Sequence, residues 1–420
     1  MIQRIWNYFG IAALSVLPSH ALAAEQPRFE WKDGDRVVLI GDTLIERDQK
    51  YGYLETLITA QNPDKSITFR NLGWSGDTAL GLSRARFGPP REGFDHLRDH
   101  VLALKPTVLI VGYGMAESFG GDAGLTRFVS DLNTILDSFA STKARIILLS
   151  PIAHEDLGRP LPDPARHNES LAKYRDAIRK LAEDRNAWFI DLFGPTISAH
   201  DYGIDPLTEN GIHPSAYGHW YFASVIDMDL RKVKKEPSWD VRIDLRGEKP
   251  GEKVSRTKLK VTEASRERVR FQTKDATLPT TLPAEGSPEA VVWLGSKRVT
   301  RVAGLAPGRF SLSIDGKVAA TADAGNWAKG VPIEIGPEFD QTEALRTAIN
   351  AKNLLYFYRW RPQNETYLFG FRKHEQGNNA REIPLFDPLV EAKEAEIARL
   401  RMPVEHAYEL RKVTESEVSR

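Results

Sequence analysis

The sequence contains no cysteine among its 420 residues. This absence excludes disulfide bonds, a thiolate nucleophile, and zinc or iron–sulfur sites held by cysteine. A nucleophile in this chain must therefore be an oxygen or a nitrogen atom. The ten histidines are scattered, and the spacing of His213 and His219 suits no common zinc site. We therefore expect neither a metal nor a cofactor.

An excess of charge of one sign is missing as well. Lysine plus arginine and aspartate plus glutamate both number 57. A chain with balanced charge has no global electrostatic attraction to nucleic acid or to an anionic membrane surface. We therefore expect no nucleic-acid partner.

Hydrophobic runs long enough to span a membrane are also absent. Near the start of the chain, Arg4 precedes the apolar run Phe9–Leu17, and Ala21-Leu22-Ala23 forms a small-residue cleavage site. The apolar run is shorter than the roughly 20 residues that a spanning helix needs. This favours a cleaved signal peptide, residues 1–23, over an N-terminal anchor. We expect export to the periplasm or the cell exterior and no membrane span in the mature chain.

What the sequence does contain is an ordinary globular composition, with 41% hydrophobic and 27% charged residues. Over residues 24–232, β-branched runs alternate with amphipathic stretches, which is typical of βαβ units and a parallel sheet. This region predicts a three-layer α/β/α sandwich with a five-stranded parallel sheet. The predicted strands are Val37–Ile40, Ile67–Asn71, Thr107–Val111, Arg145–Ser150 and Ala187–Asp191.

Two regions with different sequence patterns follow. Residues 236–335 predict a small all-β domain, because short strands alternate with turn signals such as Asp315-Gly316. The strands predicted there include Val241–Asp244, Leu259–Val261, Val269–Phe271 and Val291–Leu294. Residues 336–420 predict a C-terminal helical segment, with helices over Thr342–Arg359 and Pro388–Arg401. We expect the last ten residues to fray.

Four polar, glycine-containing segments lie at the predicted strand ends or just before the last helix of the α/β region. Ligands of an open parallel sheet bind at the carboxyl ends of its strands, where such segments meet. The segments are Gly41-Asp42-Thr43, Ser75-Gly76-Asp77-Thr78, Gly114-Met115-Ala116-Glu117 and Asn210-Gly211-Ile212-His213.

In order and separation, these segments resemble the four blocks of the SGNH, or GDSL-like, hydrolases. The blocks of that family carry a nucleophilic serine, an oxyanion glycine, an oxyanion asparagine, and an aspartate three residues before a histidine. The resemblance extends over about residues 35 to 230. It implies an SGNH-like fold and the hydrolysis of acyl esters.

Three of the positions that the resemblance makes catalytic are altered. Thr43 stands for the serine, Ala116 for the asparagine and Asn210 for the aspartate, whereas Gly76 and His213 match. Loss of one side-chain oxyanion donor costs ~10²–10³ in rate, and asparagine in place of a triad aspartate costs ~10⁴. Thr43 keeps a hydroxyl, but its γ-methyl restricts χ1. Asparagine can nevertheless hold a histidine, as it does in Cys-His-Asn proteases.

Two main functions therefore remain open. One is an exported esterase that removes acyl groups such as acetyl from carbohydrate, or from another acyl-ester small molecule, through Thr43, His213 and Asn210. The other is a non-catalytic extracytoplasmic module that binds glycan or serves as a scaffold. Chemistry through an unrecognised nucleophile is a third alternative. Glu117 is a candidate carboxylate or a capping residue, and His154 with Glu155 is a candidate substrate contact or a structural pair.

The loop Arg359–Ala380 is dense in amides, charges and aromatic rings. Such a composition suits sugar recognition, in which amides bind hydroxyls and aromatic faces stack on rings. One hypothesis is that the loop folds back over the strand ends, where Gln363 and Asn364 supply the missing donor. The alternative is a structural segment that packs across a domain seam.

Overall fold

The computed structural model of the protein describes residues 26–204, 206–232, 239–246, 251–255, 257–283 and 298–414. The predicted signal peptide, residues 1–23, and the predicted strand Val291–Leu294 lie outside these residues. Among the described helices, none has both the length and the apolar character that a membrane crossing requires.

Five apolar runs form the central sheet of the α/β domain. They are β1 (Arg36–Gly41), β2 (Thr68–Asn71), β3 (Val108–Gly112), β4 (Arg145–Leu149) and β5 (Trp188–Ile190). All pairings are parallel, in the order β2-β1-β3-β4-β5, and each strand overlaps a predicted one. Every residue of β3 is buried, because helices cover both faces of the sheet.

Helices cover the two faces of this sheet and complete the predicted three-layer sandwich. They are α1 (Thr43–Tyr51), α2 (Tyr53–Gln61), α3 (Pro90–Ala103), α4 (Met115–Ser118), α5 (Gly121–Ser138), α6 (Ala165–Asp184), α7 (Phe193–Asp201) and α8 (Ala216–Arg231), with 3₁₀ turns at Leu82–Ala85 and Ala140–Thr142. Alternate residues of β1 enter opposite cores, since successive side chains of a strand point to opposite faces. Leu39 packs in the core that contains Trp220 of α8, and Ile40 in the core that contains Leu132 of α5.

The strand order determines where a ligand site belongs. From β1 the chain moves outward to β2 and then returns to place β3 on the other side of β1. This reversal is a topological switch point, which leaves a crevice at the carboxyl ends of β1 and β3. Gly41 and Gly112, the last residues of these two strands, are paired with each other.

Two further sheets form the β domain. The strands are β6 (Trp239–Asp244), β7 (Gly251–Ser255), β8 (Thr257–Ala264), β9 (Arg268–Asp275), β10 (Arg298–Ala303), β11 (Arg309–Ile314), β12 (Lys317–Asp323), β13 (Val331–Pro332) and β14 (Glu405–Val413), with α9 (Ala324–Lys329). Their orders are β13-β10-β6-β7 and β12-β11-β14-β9-β8. The Asp315-Gly316 turn joins β11 and β12 as an antiparallel hairpin, as the sequence predicts.

The C-terminal segment is helical up to residue 400. It contains α10 (Pro337–Trp360), α11 (Glu365–Leu368), α12 (Lys373–Gln376), the 3₁₀ stretch Gly377–Leu385, and α13 (Phe386–Leu400). The predicted fraying is wrong for Arg411–Val413, which belong to β14, a strand inside a sheet between β11 and β9. Residues 415–420, the rest of the predicted frayed end, lie outside the described residues. Every second residue over part of β14, namely His406, Tyr408 and Leu410, is buried, because one face of the strand meets the core.

The same segment also packs on the α/β domain. Lys352 of α10 is fully buried, and its Nζ lies 2.7 and 2.8 Å from the two carboxylate oxygens of Glu55 and 3.1 Å from the carbonyl oxygen of Phe69. Trp360 joins the core beside Trp74, with ring centroids 6.0 Å apart. The C-terminal segment therefore contacts the α/β domain through α10 and the β domain through β14.

Candidate active site

A cavity of about 290 Å³ opens at the carboxyl ends of β1 and β3. Thr43, Gly76, Ala116 and His213, one from each of the four segments, line it together. The other lining residues are Asp42, Leu44, Gly112, Tyr113, Met115, Phe119, Ser150, Pro151, Ile152 and Ile212. Residues far apart in sequence therefore meet in the crevice that the strand order creates.

Thr43 occupies the first position of α1. Asp42 caps this helix, since its Oδ1 accepts a hydrogen bond from Leu44 N at 3.1 Å. The Thr43 hydroxyl oxygen accepts a hydrogen bond of 3.2 Å from the backbone N–H of Gly76. Gly76 adopts a left-handed φ of 67°, which glycine takes without steric cost. The amide that the family resemblance makes an oxyanion donor thus lies next to the candidate nucleophile and is bonded to it.

His213 is held by Asn210. The Asn210 Oδ1 accepts from the backbone N–H of His213 at 3.1 Å and of Ile212 at 3.4 Å, and Asn210 Nδ2 lies 2.9 Å from His213 Nδ1. Because the amide oxygen faces the backbone, Nδ2 donates to Nδ1, and we assign the proton of the neutral imidazole to Nε2. A histidine in this tautomer donates at Nε2 and accepts no proton there. Among the described residues, no hydrogen bond joins the Thr43 hydroxyl to this ring.

The electrostatic surroundings keep His213 neutral. Burial lowers the pKa of its imidazole, and the nearby guanidinium of Arg47 lowers the pKa further. Arg47 of α1 also forms an ion pair of 3.3 Å with Glu209, next to Asn210 in the chain. The helix that carries Thr43 and the loop that carries His213 are therefore linked directly.

Glu155 supports the loop that carries His213. Its carboxylate accepts from Leu207 N at 3.0 Å and from the Thr208 hydroxyl, and its own N–H donates to Gly211 O at 2.9 Å. A Cβ on Gly211 would lie 2.7 Å from His154 Nε2, so the loop packs directly against that ring. Of the two alternatives for His154, the structure favours the structural one over a substrate contact, because His154 is buried behind the loop and does not line the 290 Å³ cavity.

Glu117 acts as a capping residue. Its two carboxylate oxygens accept from Gly114 N at 3.0 Å and from Ala79 N at 2.9 Å, so it connects the third segment with the residue that follows the second. Burial raises the pKa of Glu117 to about 6. Burial, followed by repulsion from Glu117, raises the pKa of Asp42 to about 7. The pKa values of two carboxyl groups, one that lines the cavity and one beside it, are therefore raised towards neutral pH.

The C-terminal loop reaches the site through a residue that the sequence did not single out. Arg361 lies 3.5 Å from the ring centroid of Trp74 and donates to Glu46 Oε1 at 3.2 Å. The other carboxylate oxygen of Glu46 accepts from Ser75 N, next to Gly76. Glu46 follows Thr43 by three residues and lies on the same side of α1, which was the available sequence signal.

The expectation for Gln363 and Asn364 is corrected. Both residues are exposed, and neither lines the 290 Å³ cavity. The side-chain amide of Asn364 donates instead to Gln376 Oε1 at 3.1 Å. The loop therefore supports the segment that carries Gly76 and adds no amide to the cavity.

One histidine pair, His96 and His100 of α3, has the His-x-x-x-His spacing, which corrects the expectation that the ten histidines are merely scattered. Their ring centroids are 4.3 Å apart, and His100 Nδ1 lies 2.9 Å from the carbonyl oxygen of His96. No group of three His, Cys, Asp or Glu side chains able to hold a metal ion occurs in the part of the chain that the structure describes.

Comparison with known families is decisive for the α/β domain. Residues 39–221 match the model of the GDSL-like lipase/acylhydrolase family. This region is a GDSL-like hydrolase domain. All four segments of the candidate site lie inside the match. None of the curated proteins matches the sequence.

One of the similar solved structures extends the likeness beyond the GDSL-like domain. BT4096, a gut microbial diltiazem-metabolizing enzyme, is similar over 93% of this chain and 100% of its own, at 16% identity and a TM-score of 0.73. A catalytic mutant of Axe2, an acetylxylan esterase from Geobacillus stearothermophilus, covers 50% of this chain and 100% of its own, at 19% identity and a TM-score of 0.40. The fold shared with BT4096 therefore includes most of the β domain and the C-terminal helices.

Proposed function

We propose that this protein hydrolyses carboxylic esters of small acyl groups and that the Thr43 hydroxyl is the nucleophile. The observation that carries the proposal is that Thr43, Gly76 and His213 line one small cavity at the switch point of the GDSL-like domain. Met115, Ala116 and Ile152, together with other apolar residues, form much of its wall. A cavity of about 290 Å³ with such a wall suits a short acyl chain.

The mechanism follows from the positions of these groups. The Thr43 oxygen attacks the acyl carbon and loses its proton to His213, while the carbonyl oxygen becomes an oxyanion. The backbone N–H groups of Thr43 and Gly76 stabilise this oxyanion. The intermediate then collapses, and the alcohol leaves with the proton from His213. Water attacks the acyl-threonine by the same route, which releases the acid and restores the hydroxyl.

One rearrangement must come before the proton transfer. His213 accepts a proton at Nε2 only when its own proton is on Nδ1, and Asn210 must then present its oxygen to Nδ1. Turning the amide removes the acceptor from the backbone N–H groups of Ile212 and His213. Each of these hydrogen bonds contributes about 0.5–1.5 kcal/mol. The competent arrangement is therefore on the order of 5- to 150-fold less populated than the resting one, and we propose a slow hydrolase.

A second candidate function has support from the same contact. Asn210 holds His213 as a donor, and Ala116 offers no side-chain donor at the oxyanion position. A domain with these two features can bind an acylated glycan without turning it over. This is the non-catalytic alternative.

We also propose that the natural esters are carried by carbohydrate and that the protein acts after export. The segment with the properties of a signal peptide, residues 1–23, supports export. Fractionation of cells that express the full chain, followed by N-terminal sequencing, tests this. A protein that keeps its first 23 residues in the cytoplasm would contradict it.

The experiment compares the full chain with Thr43→Ala and His213→Ala, and uses Thr126→Ala, at an exposed position of α5, as the matched control. The substrates are p-nitrophenyl acetate, acetylated xylan and, because BT4096 metabolises it, diltiazem. We expect turnover by the wild type and the control, with a loss of at least ~10³-fold in both site variants. Turnover unchanged in both site variants contradicts the assignment of Thr43 and His213. Glycan binding without any turnover supports the second candidate.

A further inference from the structure

Phe119 presents an exposed aromatic ring that is fixed from behind. The residue is 63% exposed although its side chain is large and apolar. Its ring stacks on the imidazole of His167, with centroids 4.2 Å apart and an angle of 28° between the planes. One face of Phe119 therefore contacts protein while much of the ring faces solvent.

His167 is itself held in one orientation. Its Nε2 lies 2.7 Å from the Ser118 hydroxyl and its Nδ1 lies 3.1 Å from Nδ1 of His154. The side-chain amide of Asn168 holds the backbone of His154 through two hydrogen bonds of 2.8 Å each. Its oxygen accepts from the His154 N–H, and its nitrogen donates to the His154 carbonyl oxygen. Burial, followed by the neighbouring His154, lowers the pKa of His167 to about 4, so the imidazole beneath Phe119 is neutral. Both ring nitrogens are occupied, and the aromatic ring above them has a rigid support.

Phe119 lies between two cavities of different character. It lines the 290 Å³ cavity of the candidate active site and also a second cavity of about 670 Å³. Charged and hydroxyl-bearing side chains line the second cavity, among them Asp122, Asp163, Arg166, Glu169, Ser170 and Lys173. An ester that places its acyl group in the first cavity can extend its alcohol across Phe119 into the second.

We propose that Phe119 is the stacking surface for the alcohol part of the substrate and that this alcohol is a sugar. The inference rests on the proposed hydrolysis of carbohydrate esters and adds the residue that contacts the sugar. A sugar ring has C–H faces that stack on an aromatic ring and hydroxyls that bind charged and polar side chains. A purely apolar alcohol contacts only the Phe119 ring. It displaces water from the charged groups of the second cavity without replacing their hydrogen bonds.

The test measures kcat/KM of the full chain for two acetate esters, xylose tetraacetate and ethyl acetate, and takes their ratio. We expect Phe119→Ala to lower this ratio about 3- to 10-fold, mainly through the KM of the sugar ester. Phe119→Tyr keeps the ring and should restore the ratio. Phe87→Ala removes another exposed phenylalanine, 82% exposed, that lines neither cavity, and should leave the ratio unchanged.

Several results would overturn the inference. A ratio that Phe119→Ala leaves unchanged removes the stacking role. If Phe119→Ala lowers kcat/KM for 1-naphthyl acetate but not for the sugar ester, Phe119 contacts the alcohol, but that alcohol is not a sugar. If the wild type hydrolyses no ester, the proposed function fails separately. Calorimetric titration with xylobiose then decides the inference, which predicts about 3- to 10-fold weaker binding by Phe119→Ala, and equal or absent binding contradicts it.

Discussion

Asn210 donates a hydrogen bond from its side-chain amide to Nδ1 of His213 across 2.9 Å, while its oxygen accepts from the backbone N–H of the same histidine. The direction of this contact places the imidazole proton on Nε2. An aspartate at position 210 would reverse it, since a carboxylate only accepts. The identity of this one side chain therefore governs whether His213 starts the reaction as a donor or as a base.

Asn210→Asp should raise kcat for p-nitrophenyl acetate. A carboxylate accepts from Nδ1–H, which frees Nε2 to take the Thr43 proton, and it still accepts from the backbone N–H groups of Ile212 and His213. The reverse substitution in a serine-protease triad costs ~10⁴, and we expect a gain between about 10-fold and that limit. Asn378→Asp, at an exposed position of the C-terminal segment, is the control. A variant no faster than wild type would contradict the tautomer assignment.

The pH dependence should change with the same substitution. Burial and Arg47 lower the pKa of His213 in the wild type, so the acid limb of kcat/KM should lie below pH 6.5. A carboxylate beside Nδ1 stabilises the imidazolium and raises its pKa, so the limb of Asn210→Asp should move to higher pH. Proton NMR titration of His213 checks the shift independently of turnover. An unchanged titration midpoint would show that residue 210 does not contact the ring as described.

Glu155→Ala should lower kcat while Glu155→Gln retains most of it. The alanine leaves the buried Leu207 N–H without its acceptor, which costs about 1–3 kcal/mol. It also removes the side chain that holds the loop carrying His213. We expect a loss of about 10- to 100-fold in kcat, since small displacements of a catalytic group are costly. The glutamine keeps an acceptor for Leu207 N. Equal losses in the two variants, or a change in KM alone, would rule out a positioning role.

Asp42→Asn should stabilise the fold above neutral pH. The Asp42 carboxyl has a pKa of about 7 in the folded chain against 3.8 when unperturbed, so the folded state keeps a proton that the unfolded state loses. Stability from this group therefore falls as pH rises from about 4 to 7. Asparagine keeps the cap to Leu44 N but has no charge, and its advantage should grow to about 1–4 kcal/mol by pH 8. Urea unfolding at pH 4.5 and 8 measures the difference, and a pH-independent difference would contradict it.

Lys352→Met should destabilise the protein strongly. The substitution leaves Glu55 buried without its partner, which costs about 3–5 kcal/mol. Adding Glu55→Gln to Lys352→Met should recover most of this loss, because the unpaired charge is then gone. Lys373→Met, at an exposed position, should change the free energy of unfolding by less than about 0.5 kcal/mol. Urea unfolding of the four chains gives these differences, and a loss of under 1 kcal/mol for Lys352→Met would contradict the role of α10 as an anchor.

The α/β domain could be predicted well from the sequence because the pattern that marks each of its strands lies within a few consecutive residues. Each strand of the central sheet is an apolar run bounded by turn residues, and βαβ units join parallel strands whose carboxyl ends share an edge. Thr43, Gly76, Ala116 and His213 were expected to meet for that reason, and they line one cavity.

The parts that sequence reasoning missed depend on distant partners. The charged residues of β14 make its alternation of apolar and polar residues hard to recognise in the sequence. Its partner strands β9 and β11 also lie about a hundred residues or more earlier in the chain. The amides of the C-terminal loop suggested a sugar contact, but the contact of Arg361 with Trp74 determines where the loop sits. The role that we propose for Phe119 depends on its stacking on His167, which a linear pattern does not reveal.

The central claim is that the Thr43 hydroxyl carries the acyl group during turnover. The most direct measurement is rapid-quench peptide mass spectrometry of the full chain mixed with p-nitrophenyl acetate. Our account predicts an acetyl group on Thr43 that appears before steady state and is missing in Thr43→Ala. Acetylation of a different hydroxyl, or sustained turnover with unmodified Thr43, would contradict it.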